Sequence, residues 1–166
     1  MRATPVARLL PALLLSVLLA APGAGASGAG QPAAGWVPPI TPPVVVRGFA
    51  PPAQPWLAGH RGIDLRTRPG GPVRAAGDGR VTHAGPLAGR GVVVVDHGPV
   101  RTTYEPVEAA VALGQRVRAG ALLGRVGRGA GHCGDGTCLH LGLRRGRTYL
   151  DPRLLLGARR VVLRPW

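Results

Sequence analysis

The chain has 166 residues, with 21 basic and 7 acidic side chains, a net charge of +14 and only 4% aromatic residues. That length holds one small core and no more. The charge calls for an anionic partner, but scarce aromatics and the lack of any nucleic-acid-binding motif argue against DNA or RNA.

In chain order, Arg2 and Arg8 flank the start of an apolar run from Leu9 to Ala21, and Ala24-Gly25-Ala26 follows. A basic start, a short apolar run and a small-x-small end predict a secretory signal peptide over residues 1–26. The run is too short to cross a bilayer comfortably, and no other segment is apolar enough. The expectation is a secreted, extracytoplasmic protein with no transmembrane segment after cleavage. Arg2 and Arg8 leave with the signal, so residues 27–166 carry +12. Every basic side chain is arginine. With so much Ala, Gly, Pro and Val this fits a GC-rich codon bias; the functional reading is attraction to an anionic cell-wall polymer.

Residues 27–55 are rich in Pro, Gly and Ala and read as a semi-extended linker with one short strand at Val44-Val45-Val46. The compact domain is expected from Trp56 to about Leu156, with residues 157–166 as a tail. Helical periodicity is nearly absent, and short apolar runs between glycines predict an all-β, antiparallel domain. Strands are expected at 72–75, 80–84, 91–96, 100–104, 116–117, 121–126 and 138–143. Gly77-Asp78-Gly79 reads as a hairpin turn. Asp151-Pro152 opens a short helix or turn, with aspartate as cap and proline in the first turn. Cys133 and Cys138 read as a disulfide in an oxidising compartment, stabilising by about 2 kcal/mol. The alternative is a metal site built from His132, Cys133, Cys138 and His140.

His60-Arg61-Gly62-Ile63-Asp64 is the stretch with chemical content. An imidazole and a carboxylate are both zinc ligands. A straight run over four residues spans about 13 Å, too far for one ion, so the chain must bend, and Gly62 lets it. His140, in Cys138-Leu139-His140-Leu141, is the candidate third ligand. Taken alone, His60 and Asp64 are better read as a loop histidine and a solvated acid; the sequence around them shifts the balance.

The ordered set of pieces is informative. His60–Leu65 is followed by Gly71–Val81, Gly91–Gly98, Thr103-Tyr104, the glycine-spaced run Val111–Gly127, Cys138–Arg144 and Tyr149–Pro152. In this order the chain resembles the lysostaphin-like, or LytM-type, zinc metalloendopeptidases that cut peptidoglycan cross-bridges. The resemblance implies an antiparallel β domain with one zinc ion in a groove, held by His60, Asp64 and His140. It also implies two acid–base histidines, and those positions hold Pro106 and Cys138. His132 is a candidate substitute, and Glu105 is expected on the face away from the metal. Tyr104 and Arg144 are candidates for substrate contact, with Arg145 and Arg147 beside Arg144. His83 and His97 read as satisfied turn or surface histidines. Two functions stay open: a metalloendopeptidase with a rearranged proton carrier, or a relative that binds peptidoglycan or regulates a cell-wall hydrolase without cutting. A metal-free scaffold is the third.

Overall fold

The computed structural model describes residues 35–128 and 137–156. Among them are eleven strands, numbered in chain order, and no α-helix. The larger sheet runs β1 (Val45–Arg47), β2 (Gly62–Arg66), β10 (Cys138–Arg145), β6 (Arg101–Glu105), β5 (Arg90–Asp96), β4 (Gly79–Leu87) and β8 (Arg116–Val117). β11 (Thr148–Leu150) pairs with the far end of β10. The smaller sheet runs β3 (Pro72–Arg74), β9 (Leu122–Val126) and β7 (Val107–Ala109). Every pairing is antiparallel, as expected from the sequence. A 3-10 helix over Pro152–Leu155 closes the described chain, and the Asp151 side chain accepts from the Arg153 N–H, the cap predicted from Asp-Pro.

Directly paired residues in an antiparallel ladder share a face, so the register divides the larger sheet into alternating rows. Ile63, Leu141, Tyr104 and Val93 form one row, and all four are fully buried. Leu143, Thr102 and Val95 form the next row on that face and are buried too. These rows join Val73, Leu123 and Val126 of the smaller sheet in one apolar core. The intervening rows point the other way: Gly62, Gly142, Thr103 and Val94 make one, and Tyr149, Arg144, Arg101 and Asp96 make the next. The four-valine run is therefore split between the two faces: Val93 and Val95 are buried in the core, while on the other face Val92 is buried and Val94 half-buried.

Two expectations are corrected. Gly77-Asp78-Gly79 is not a hairpin, because β3 pairs with β9 and β4 with β5 and β8. The segment carries the chain between sheets. Its glycines answer to crowding: a Cβ on Gly79 would lie 2.4 Å from the Asp96 carbonyl oxygen, and one on Gly77 2.7 Å from the Trp36 ring. The compact body also begins well before Trp56. Val37 N–H donates to Ala76 O at 2.9 Å, Arg74 N–H to Pro39 O at 2.9 Å, and Arg66 N–H to Val44 O at 2.8 Å. Ile40 is buried in the core. Prolines made this segment look like a tether, but they also suit a chain that packs without offering many donors.

His97 ties this segment to the sheet. Trp36 meets its ring edge-on at a centroid distance of 4.9 Å. Its Nδ1–H donates to Asp78 O at 2.7 Å, and its Nε2 lies 2.7 Å from the Thr102 hydroxyl. The Thr102 and Tyr104 hydroxyls are 2.9 Å apart, and Ala76 N–H donates to the Tyr104 oxygen at 2.8 Å. Burial holds His97 below the ordinary histidine range, against the opposing pull of the Asp78 carbonyl and the Asp96 and Asp78 charges. Burial also pushes the Tyr104 phenol up to about 12. A depressed histidine stabilises fully above the unfolded value of about 6.5 and loses that contribution as pH falls toward the folded value. The melting temperature is expected to drop between pH 7 and 5, and His97→Gln to flatten that slope, as measured by thermal denaturation across the range.

Candidate metal centre

The site is built where β2 meets β10. His140 and Asp64 are Cα partners in that ladder, so their side chains rise from the same face. His60 lies just upstream, in an isolated bridge with Ala50 rather than in β2 itself. The bend that the spacing required therefore falls between His60 and β2, where the chain enters the sheet at Gly62. His60 Nε2, Asp64 Oδ1 and His140 Nδ1 converge, at 3.1 Å, 3.1 Å and 2.8 Å from one another. His60 and Asp64 are buried, and His140 is half-buried and opens to the sheet face.

The donor set fits zinc. Four ligands at about 2.0–2.1 Å in a tetrahedron stand roughly 3.3 Å apart, close to the spacing of these three atoms. Burial raises the Asp64 carboxyl, but the hydrogen bond to His140 and the charges of His60 and His140 outweigh it and hold the group below the usual carboxylate range. It is thus ionised, and ready to ligate, at neutral pH. His60 Nδ1–H donates to Gly48 O at 2.6 Å, which sets the tautomer and turns the Nε2 lone pair toward Asp64 and His140. Gly48 precedes the expected domain start, and a backbone acceptor has no sequence signal.

Pro106 is buried and has no proton to transfer, and Cys138, on the same strand face as His140, is 1% exposed. His132 and Cys133 lie outside the described residues, and with them the disulfide. Tyr104 is corrected: its ring is fully buried in the core, so it contacts no substrate. Glu105 is corrected the other way. It is the Cα partner of His140, which puts it on the metal face in the row Asp64–His140–Glu105. Its carboxylate accepts from Arg90 Nε at 2.9 Å. A straight strand continued through Pro106 would turn Glu105 away from the metal; pairing with β10 turns it toward His140. Arg144 lines a groove of about 340 Å³ on this same face, together with Glu105, Gly142, Thr103, Arg101 and Tyr149.

Gly62 has a second task besides the bend. A Cβ there would lie 2.3 Å from the Leu141 carbonyl oxygen and 2.6 Å from His140 Nε2. The bare backbone is the seat on which the His140 ring lies. Gly62→Ala is expected to lower the melting temperature by several degrees and weaken zinc binding at least tenfold, measured by calorimetry and competitive chelator titration.

Residues 58–152 match the family model described as Peptidase family M23. An uncharacterized protein of Mycobacterium tuberculosis is 42% identical over 165 residues, covering 96% of this chain and 66% of its own length, so this chain spans just under two thirds of that relative. Among solved structures, a zinc-containing peptidase from Vibrio cholerae superposes with a TM-score of 0.57 at 25% identity, covering 75% of this chain and 40% of that one. Lysostaphin superposes with a TM-score of 0.56 at 23% identity, covering 68% of this chain and 50% of that one. With the family match extending over more than half of its residues, and the two-histidine, one-aspartate cluster inside that span, this chain belongs to Peptidase family M23.

Proposed function

We propose that this is a secreted, zinc-binding member of family M23 that acts on the peptide portion of peptidoglycan. The convergence of His60 Nε2, Asp64 Oδ1 and His140 Nδ1, in a row with Glu105 on the sheet face that carries the groove, is the observation that carries this reading. Zinc bound by three protein ligands supplies a Lewis acid and a water of lowered pKa. The chain's own residues do the rest. Gly142, which lines the groove, keeps the sheet face low beside the ligands, so an extended peptide reaches them. Glu105, on the ligand row, is a group suited to accept a proton there, and Arg90 holds it in place. In the proposed oxidising compartment Cys133 pairs with Cys138.

A specific observation supports a second reading. Neither Pro106 nor buried Cys138 replaces the family's histidines, and Glu105 is already engaged by an arginine. Positioned acid–base groups contribute about 10²- to 10⁴-fold, so a chain lacking them binds the wall, or regulates a hydrolase, without cutting.

Zinc-loaded protein incubated with purified peptidoglycan decides between the two. Cleavage releases new amino termini, is abolished by His140→Ala, and falls about 10²-fold or more in Glu105→Gln with zinc content unchanged. Co-sedimentation with peptidoglycan and no new termini marks the binding protein. A preparation that neither retains zinc nor sediments with peptidoglycan removes both readings.

A further inference from the structure

The face that carries the ligands has three rows with distinct chemistry. The ligand row is Asp64, His140 and Glu105. The next is Gly62, Gly142, Thr103 and Val94, which is small and uncharged. The third is Tyr149, Arg144, Arg101 and Asp96. Positive charge thus faces the groove at its far end from the ligands.

One of the two arginines that line the groove, Arg101, is neutralised within the fold, as is Arg90 outside it. Arg90 Nε lies 2.9 Å from Glu105 Oε2, and Arg101 Nε 3.3 Å from Asp96 Oδ2. Arg144 has no ion pair among the described residues. It is half-buried between Tyr149 on one side and Arg101 on the other. A guanidinium held in a partly enclosed groove beside a second one favours an anion, and its planar fork matches a carboxylate with two parallel hydrogen bonds.

We propose that Arg144 is the specificity-determining residue of the groove and binds a free carboxylate of the substrate peptide. Given the reading that a peptide lies along this face, the register sets the spacing. Residues 140 and 144 are four apart on one strand, about 13 Å, and an extended peptide rises about 3.3 Å per residue. The carboxylate therefore sits about four residues from the carbonyl held over the ligand row. The preferred substrates are acidic peptides with a free C-terminal or side-chain carboxylate at that distance, and neutral bridges lack the anchor. Arg145 follows in sequence but turns to the opposite face.

Equilibrium binding separates this from cleavage. The probes are a five-residue Ala/Gly peptide with a free C-terminal carboxylate, its C-terminal amide, and an amidated version with glutamate at the fourth residue. At least one acidic probe is expected to bind tenfold or more tightly than the neutral amide, and the better of the two identifies the carboxylate source. Arg144→Gln should remove the preference, Arg144→Lys retain part of it, and Arg145→Gln leave it intact. It should persist in wild-type protein stripped of metal by a chelator. Loss of the preference on metal removal would put the carboxylate on the ion instead. An equal loss in Arg145→Gln would reduce the effect to bulk charge. Either result overturns the proposal, as does failure of both acidic probes to outbind the amide. Release of amino termini from peptidoglycan, or co-sedimentation with it, by the same preparation shows independently whether the broader reading stands.

Discussion

Asp64 on β2 and His140 on β10 are direct partners in one antiparallel ladder, and the site follows from that pairing. Side chains alternate along a strand with a period of two, so a slip of one residue would turn His140 into the core and Leu139 or Leu141 onto the open face. The register is guarded by what that slip would cost. Ile63, Leu65, Leu139 and Leu141 are all fully buried, and each contributes roughly 1.5–3 kcal/mol by leaving water. The apolar face thus locks the polar one. The ligands need no strong interaction of their own to stay opposite each other in the apo fold.

The third ligand is held differently. His60 lies outside β2 and is oriented by the Gly48 carbonyl and by the bridge to Ala50. Both partners belong to the segment upstream of the family match, which begins at residue 58. That segment is in turn fastened by the Val37–Ala76 and Pro39–Arg74 hydrogen bonds and by Trp36 against His97. Fold stability and ligand orientation are therefore coupled through a stretch of chain that contributes no ligand.

The fold accounts for metal binding more directly than for catalysis. M23-type architecture supports zinc peptidases, but architecture alone does not assign chemistry. Here His60, Asp64 and His140 converge as a candidate metal site, whereas buried Pro106 has no side-chain proton to transfer and Cys138 is buried. Glu105 restores a titratable group to the ligand row, but with Arg90 against it. The groove beyond carries its own charge pattern, with Arg144 at the end away from the Asp64–His140–Glu105 row.

Residue order and type alone determined the all-β class, most of the strands, the Asp151 cap and which three side chains, His60, Asp64 and His140, could meet at one point. Alternating apolar positions and glycine spacing are local signals, and the His-x-Gly-x-Asp pattern carries its bend with it. The tertiary structure decided what pairing and packing control. It put Glu105 beside His140 and Tyr104 in the core, joined Gly77–Gly79 across two sheets rather than in a hairpin, and drew residues 36–50 into the body. Strand partners far apart in sequence fix which face a residue takes near a strand end, and a backbone carbonyl such as Gly48 O has no side chain to reveal its part in positioning a ligand.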